Sequence, residues 1–291
     1  MTLVQDVQVR DRFAPARSAW RNLLVHVQPE PSALPRLEAA AGLARALGAQ
    51  LTGLGAETIQ PIATSDPSGM LGGEWMTLLQ DNVQTNLAHA RAAFDARSKG
   101  VKSDWLEVED LPTRAVTRLA RGADLVIAGG CPLDVRDAYR WCDPAELALQ
   151  CGRPVLVVPP GGGQLEGRSV VVAWKDSREA RRALADSLPI LKCADEVVVM
   201  AVCAKDEAKD AEVHVASVLD YLLRHGVEGR AKIVKADERM AARELQACAD
   251  TAEADLIVGG AYGHTRLGEW FFGGVTLDLL DDPRRFLLLS H

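Results

Sequence analysis

Residues 259–276 carry the pattern in this chain best suited to chemistry. They read Gly259-Gly260-Ala-Tyr262-Gly263-His-Thr-Arg-Leu-Gly-Glu-Trp-Phe-Phe-Gly273-Gly274-Val275-Thr276. Glycines lack a Cβ, so their backbone N–H groups can close on a phosphate. A helix that begins at Gly274 would turn its positive end toward the same point. The stretch is neither a Walker loop, since no Gly-Lys-Ser/Thr occurs anywhere, nor the Gly-x-Gly-x-x-Gly of dinucleotide folds. Taken alone, these glycines serve equally well as a plain strand-to-helix turn, and both readings stand. Beside them, Trp174, Trp270, Phe271 and Phe272 could stack on a base or simply pack. His264 and Thr276 could touch a phosphate or belong to an ordinary turn and first helical turn.

Other chemistries lack their residues. The six histidines are scattered with no His-Glu-x-x-His, and the six cysteines form no Cys-x-x-Cys, so no metal site is expected and reduced thiols are. A Walker lysine, an acidic metal pair and a nucleophile beside a base are all missing, so the chain is expected to bind rather than catalyse.

The glycine stretch must be held by a strand before it and a helix after it, and the second half supplies both. Val170–Ala173, Val197–Val202, Ile233–Val234, Leu256–Val258 and Phe286–Leu289 are nearly continuous apolar runs, as expected of strands covered on both faces. Between them run helical stripes: Ala180, Ala183, Leu184, Leu188 and Leu191; Val215, Val218, Leu219 and Leu222, stopping at Gly226; and Ala242, Leu245, Ala249 and Ala252. Asp176 followed by Glu179 predicts a capping box for the first helix. The first half repeats the scheme, with stripes ending at Gly48 and near Gly100. Strands alternating with helices imply right-handed crossovers and parallel sheets, whose ligands lie beyond the carboxyl ends of the strands.

The halves are copies. Ala123-Asp-Leu-Val-Ile-Ala-Gly-Gly130 returns as Ala254-Asp-Leu-Ile-Val-Gly-Gly260, offset by 131 residues. Arg21-Asn-Leu-Leu-Val-His26 returns as Arg168-Ser-Val-Val-Val-Ala173, offset by 147. The first copy is therefore about 16 residues longer before its Ala-Asp-Leu strand, and Gln60–Gly73, rich in Pro, Ser and Gly, is the expected place. Pro159–Gly167 is a linker by composition. Domains are expected over 1–160 and 168–291.

Composition agrees with two ordinary cores. The chain has 291 residues, 48% hydrophobic and 25% charged, with a formal charge of −7. An acidic chain with few aromatics is a poor phosphate-backbone binder, so no nucleic-acid partner is expected. No apolar run is long enough to span a bilayer and no secretory leader is evident, so no membrane partner is expected and a cytoplasmic location is.

Gly260-x2-Gly263-x9-Gly273 resembles the nucleotide-binding signature of universal stress proteins, G-x2-G-x9-G-[S/T]. Val171-Val-Ala-Trp-Lys-Asp-Ser-Arg-Glu-Ala180 resembles that family's first strand and turn, and the doubled Ala-Asp-Leu strand resembles its tandem members. The resemblance covers Trp20–His291 and is specific in the second copy. It implies an α/β fold of two doubly wound, five-stranded parallel sheets, adenine nucleotide alpha hydrolase-like, of order 3-2-1-4-5. It also implies ATP, with Mg where it binds, between the first and fourth strands of the second copy. Carried over, Ala173, Trp174, Lys175 and Val202 would take the adenine and ribose side. Gly260, Tyr262, Gly263, Gly273, Gly274, Val275 and Thr276 would take phosphate and ribose. Two residues depart from the pattern: Lys175 stands where the family usually has Asp, and Gly274 where it has Ser or Thr.

The first copy breaks the cradle, with Cys131-Pro132-Leu133 after Gly130 and Gln28-Pro29-Glu30 after its first strand, because proline has no N–H to give. It is expected to be a scaffold, unless its Arg136–Trp141 loop binds something else. The last strands, Val155–Val158 and Phe286–Leu289, would be apolar edges, and pairing them would cover both in an internal pseudo-dimer. The expected function is a stress-response regulator that binds ATP or a relative and acts through protein partners. The alternatives are a nucleotide-free interaction protein and, third, a slow ATPase. Whether the pseudo-dimer pairs again into a homodimer is open at this point.

Overall fold

The apolar runs become strands of one sheet, and the periodic stretches become helices on its two faces. The computed structural model describes residues 20–60, 72–130, 137–261, 263–266, 269–272 and 274–291, without the side chains of 72–74, 263–266 and 269–272. The first half runs β1 (Asn22–Val27), α1 (Leu34–Leu47), β2 (Gln50–Glu57), α2 (Gly72–Arg97), β3 (Ser103–Glu109), α3 (Pro112–Leu119), β4 (Leu125–Gly129), α4 (Pro144–Gln150) and β5 (Val155–Val158). The second runs β6 (Ser169–Ala173), α5 (Arg178–Leu191), β7 (Glu196–Cys203), α6 (Ala208–Arg224), β8 (Arg230–Lys235), α7 (Ala241–Thr251), β9 (Leu256–Gly260), a hairpin of β10 (Gly263–Arg266) and β11 (Glu269–Phe272), α8 (Gly274–Asp281) and β12 (Phe286–Ser290).

Ten strands form a single sheet of order β3-β2-β1-β4-β5-β12-β9-β6-β7-β8, so each half runs 3-2-1-4-5 in its own count. Within each half of this sheet every pairing is parallel. The halves meet through β5 and β12, which run antiparallel with Leu156 opposite Leu288. All of β12 is buried, because β9 flanks its other side. The expected apolar edges are thus joined inside one chain. Residues facing α1, α2, α5 and α6 form one core, among them Leu125, Ile127, Leu156 and Leu288. Their neighbours Val126, Val155, Val157, Leu287 and Leu289 join a second core with α3, α4, α7 and α8. Side chains of successive strand residues point to opposite faces, so one apolar run feeds both cores.

The repeated aspartate has a structural job in each copy. Asp124 accepts the N–H groups of Arg21 and Asn22 at 2.8 and 2.9 Å, and Asp255 accepts those of Glu166 and Gly167 at 2.6 and 3.0 Å. Each carboxylate pins the entry to the first strand of its half.

Three local expectations change. Ser177, not Asp176, caps α5, its hydroxyl accepting the Ala180 N–H at 3.2 Å, because Asp176 is drawn to Arg181. The surplus of the first copy is shared between the β2–α2 connection, whose residues 61–71 lie outside the described residues, and α2 itself, 26 residues long against 17 in α6. The stretch after β9, which reads as a strand-to-helix turn, contains a hairpin, with Gly263 opposite Phe272. Among the described residues no helix is long and apolar enough to cross a membrane, and the five described cysteines form no disulfide.

Candidate functional site

At the carboxyl ends of β6, β7 and β9, where the chain's crossovers diverge, lies a cavity of about 500 Å³. That is ample for a nucleotide-sized ligand, since small-molecule sites run from about 300 to 1,000 Å³. Ala173 from β6, Met200 and Val202 from β7 and Leu245 from α7 give it apolar walls. Gly259 and Gly260 end β9 at its back, and Gly274, Val275 and Thr276 begin α8 there. The first backbone N–H groups of a helix have no partner within the helix, so this end of α8 offers donors with a favourable dipole to an anion.

Charged side chains gather at the mouth. Lys175 forms an ion pair with Glu238, and both remain largely exposed. Arg239 clasps Asp237 through two bonds of 3.0 and 2.9 Å. Those bonds pull the Asp237 carboxyl down to about 2. Trp174 is buried, and its indole N–H has no partner among the described residues. It stands between the main cavity and a shallower one of about 340 Å³ bounded by Asp176, Arg181, His214 and Tyr221.

Of the expected binding residues, Ala173, Trp174, Lys175, Val202, Gly260, Gly274, Val275 and Thr276 line the main cavity. Gly263 opens β10, whereas Tyr262 and Gly273 lie outside the described residues, as do the side chains of His264, Trp270, Phe271 and Phe272. Two roles differ in detail. A Cβ on Gly260 would stand 2.6 Å from the Ala180 nitrogen and 2.7 Å from the Glu179 carbonyl carbon. Glycine is needed there by the close packing of β9 on α5, whatever binds. The Thr276 hydroxyl donates to the Gly260 carbonyl at 3.3 Å, tying α8 to β9. Gly274, by contrast, has nothing among the described residues within 4 Å of its missing Cβ. Met200, Leu245, Glu238, Arg239 and Asp278 also line the cavity but were not expected. Met200 was within reach of sequence reasoning, since strand residues two apart share a face and Val202 was already a candidate.

The same place in the first half is filled. Gly129 corresponds to Gly260, and Arg36 reaches the point where a Cβ on Gly129 would sit. Arg36 and Ala180 are each the third residue of their helices, α1 and α5. His26 and Ala173 are each the fifth of their strands, β1 and β6. Two alanines that border the cavity thus become an arginine and a histidine. The Arg36 guanidinium donates to Gln28 at 3.3 Å and lies 5.7 Å from the Trp141 ring centroid. Burial lowers it to about 10, against the opposing pull of the neighbouring Cys142 and Glu30. Glu30 is held in turn by Arg140. Burial, with Arg36 adding to it, holds His26 well below the usual histidine range. Of the Arg136–Trp141 loop, Asp137–Trp141 are described, and Trp141 packs over this cluster.

Among the described residues no group of three or more His, Cys, Asp or Glu is placed to hold a metal ion. The donors that suit a nucleotide are the backbone at the start of α8 and Lys175 at the mouth. The apolar walls suit a base.

No family model and no curated protein matches the sequence. Among solved structures, a universal stress protein from Archaeoglobus fulgidus is similar over 92% of this chain and 97% of its own, at 14% identity and a TM-score of 0.66. A functionally unknown protein from Pseudomonas aeruginosa is similar over 94% of this chain and 93% of its own, at 17% identity and a TM-score of 0.58. Both likenesses run across the two halves together, and the chain has the universal stress protein fold in doubled form.

Proposed function

We propose that the second half binds an adenine nucleotide, ATP or a relative. We further read the chain as a stress-response regulator of the universal stress protein family, acting through protein partners rather than by catalysis. The observation that carries this is the cavity of about 500 Å³ in the half that keeps Ala173, Ala180, Gly259 and Gly260 small. The base would lie against Ala173, Met200, Val202 and Leu245. The phosphates would point to the Gly274 and Val275 N–H groups, with Lys175 exchanging Glu238 for a phosphate oxygen. Any Mg would arrive with the phosphates, which bring their own oxygens as ligands. An anion site made of backbone donors also suits a chain of net charge −7, because it needs no cluster of cations.

A nucleotide-free interaction protein is the second reading, favoured by the Lys175–Glu238 ion pair at the mouth. Mass spectrometry of denatured, freshly purified protein for co-purifying nucleotide comes first, followed by calorimetric titration with ATP. Gly274→Val is the control, since its side chain would meet none of the described residues and would enter the cavity that Gly274 lines. The expected result is binding weakened at least about tenfold in Gly274→Val, a difference of about 1.4 kcal/mol. No heat with any adenine nucleotide would leave the second reading. Phosphate release above the Gly274→Val control would favour a slow ATPase.

A further inference from the structure

The outer edges of the ten-stranded sheet are β3 and β8, each bonded to one neighbour among the described residues. An edge strand presents a row of unpaired N–H and C=O groups that another strand can take up. The two edges are opposite in charge. β3 carries Asp104, Glu107 and Glu109, and β8 carries Arg230, Lys232 and Lys235. Arg230 is engaged by Glu196 at 2.7 Å. Glu107 accepts the Trp105 indole N–H at 3.0 Å and Glu109 accepts Gln84 at 3.2 Å, and both carboxylates stay exposed. Among these acids sits Leu106, a large apolar side chain left 42% exposed.

Direction and faces agree with a joint between the two edges. Strands of the first half run opposite to those of the second, because the β5–β12 pairing alone is antiparallel within the sheet. A β3 edge meeting a β8 edge of a second copy, shifted along the sheet, is therefore antiparallel. Val108 packs on the face shared with α3, α4, α7 and α8, so Leu106 points the same way, and Val234 lies on that face too. Trp105 and Ile233 lie on the opposite face. Continuing the sheet would extend both cores and cover Leu106.

We infer that this chain associates head to tail, β3 of one copy adding to β8 of the next. Pairing of like edges, β3 with β3 or β8 with β8, sets like charges opposite each other and is disfavoured. A joint between two different surfaces leaves a free edge at each end, so assembly continues past the dimer. The inference stands apart from any nucleotide reading.

Sedimentation of the full chain over a range of concentrations tests it. At low salt the mean mass should climb above the 31.4 kDa monomer and pass twice that value. In about 1 M salt, where charges are screened within a few ångströms, it should fall back. The double variant Glu107→Lys with Glu109→Lys, and the double variant Lys232→Glu with Lys235→Glu, should each stay monomeric. An equimolar mixture of the two should associate again. Single substitutions Glu107→Lys and Lys235→Glu, which lie on the same face of the sheet, serve if circular dichroism shows a double variant unfolded. Monomer at every concentration in low salt, a mass that levels at a dimer, association kept by both variants, or a mixture that stays monomeric would each overturn the inference.

Discussion

His26 lies in the buried part of β1, 1% exposed and with neither ring nitrogen partnered among the described residues. Burial, reinforced by Arg36, depresses its folded pKa well below the usual value of 6.5. The unfolded chain accepts a proton near that value and the folded chain does not. Stability from this group is therefore full above the unfolded pKa and is lost as pH falls beneath it. At about 1.4 kcal/mol per pH unit, the loss between about pH 7 and about pH 5 is about 2 kcal/mol. His26→Ala, which installs the residue found at the matching position 173, removes this proton linkage. Denaturant titrations at both pH values measure it: the unmodified protein should lose about 2 kcal/mol more than His26→Ala between them. Any cavity the substitution leaves affects both pH values alike and cancels. Glu57, whose carboxyl burial pushes up, works in the opposite direction but is common to both proteins. Losses that agree within about 0.5 kcal/mol would refute a neutral, desolvated His26.

Substitutions at Gly260, Gly274 and Leu288 probe the frame. Gly260→Ala should cost about 1–3 kcal/mol in thermal or denaturant unfolding, because α5 must move away from the new Cβ. Gly274→Ala should stay within about 0.5 kcal/mol of the unmodified protein, and the reverse order would refute the packing role of Gly260. Leu288→Pro removes an N–H from a strand flanked on both sides, so it should expose apolar surface to a hydrophobic dye and abolish the cooperative transition. The milder Leu288→Ala should cost about 2–5 kcal/mol. A fully stable Leu288→Pro would contradict the interior position of β12.

The parts of the fold that depend on repetition and periodicity were open to reading from residue order. The Ala-Asp-Leu duplication located both fourth strands, and the stripes ended at Gly48, Gly100 and Gly226, which adopt φ of +62°, +76° and +78°. The apolar runs at 155–158 and 286–289 required partners, and each found the other. Side chains whose position depends on contacts distant in sequence were harder. Arg36 lies off the Leu34–Leu37–Ala41–Ala44 stripe and reads as a solvated residue, yet it is buried beneath Trp141. Only alignment of α1 with α5, setting Arg36 against Ala180, would have shown a large side chain where the other copy needs space. Gly260 reads as an opening for a ligand, whereas the approach of α5 that requires it is a tertiary fact. Glu238 and Arg239 carry no local mark of the cavity they reach.

The antiparallel joint of β5 and β12 has a consequence for how the halves could diverge. In a dimer of two separate, identical chains, any change at one site is copied into the other, and the contact dissolves on dilution. Here the tether of residues 159–168 holds the two surfaces at an effective concentration on the order of millimolar, whatever the concentration of the protein. Only the contact around β5 and β12, with α4 against α8, must stay matched, and the parts of each half away from it are free to change alone. One half could thus close around its own arginine while the other kept a chamber, a division of labour that a symmetric pair cannot hold.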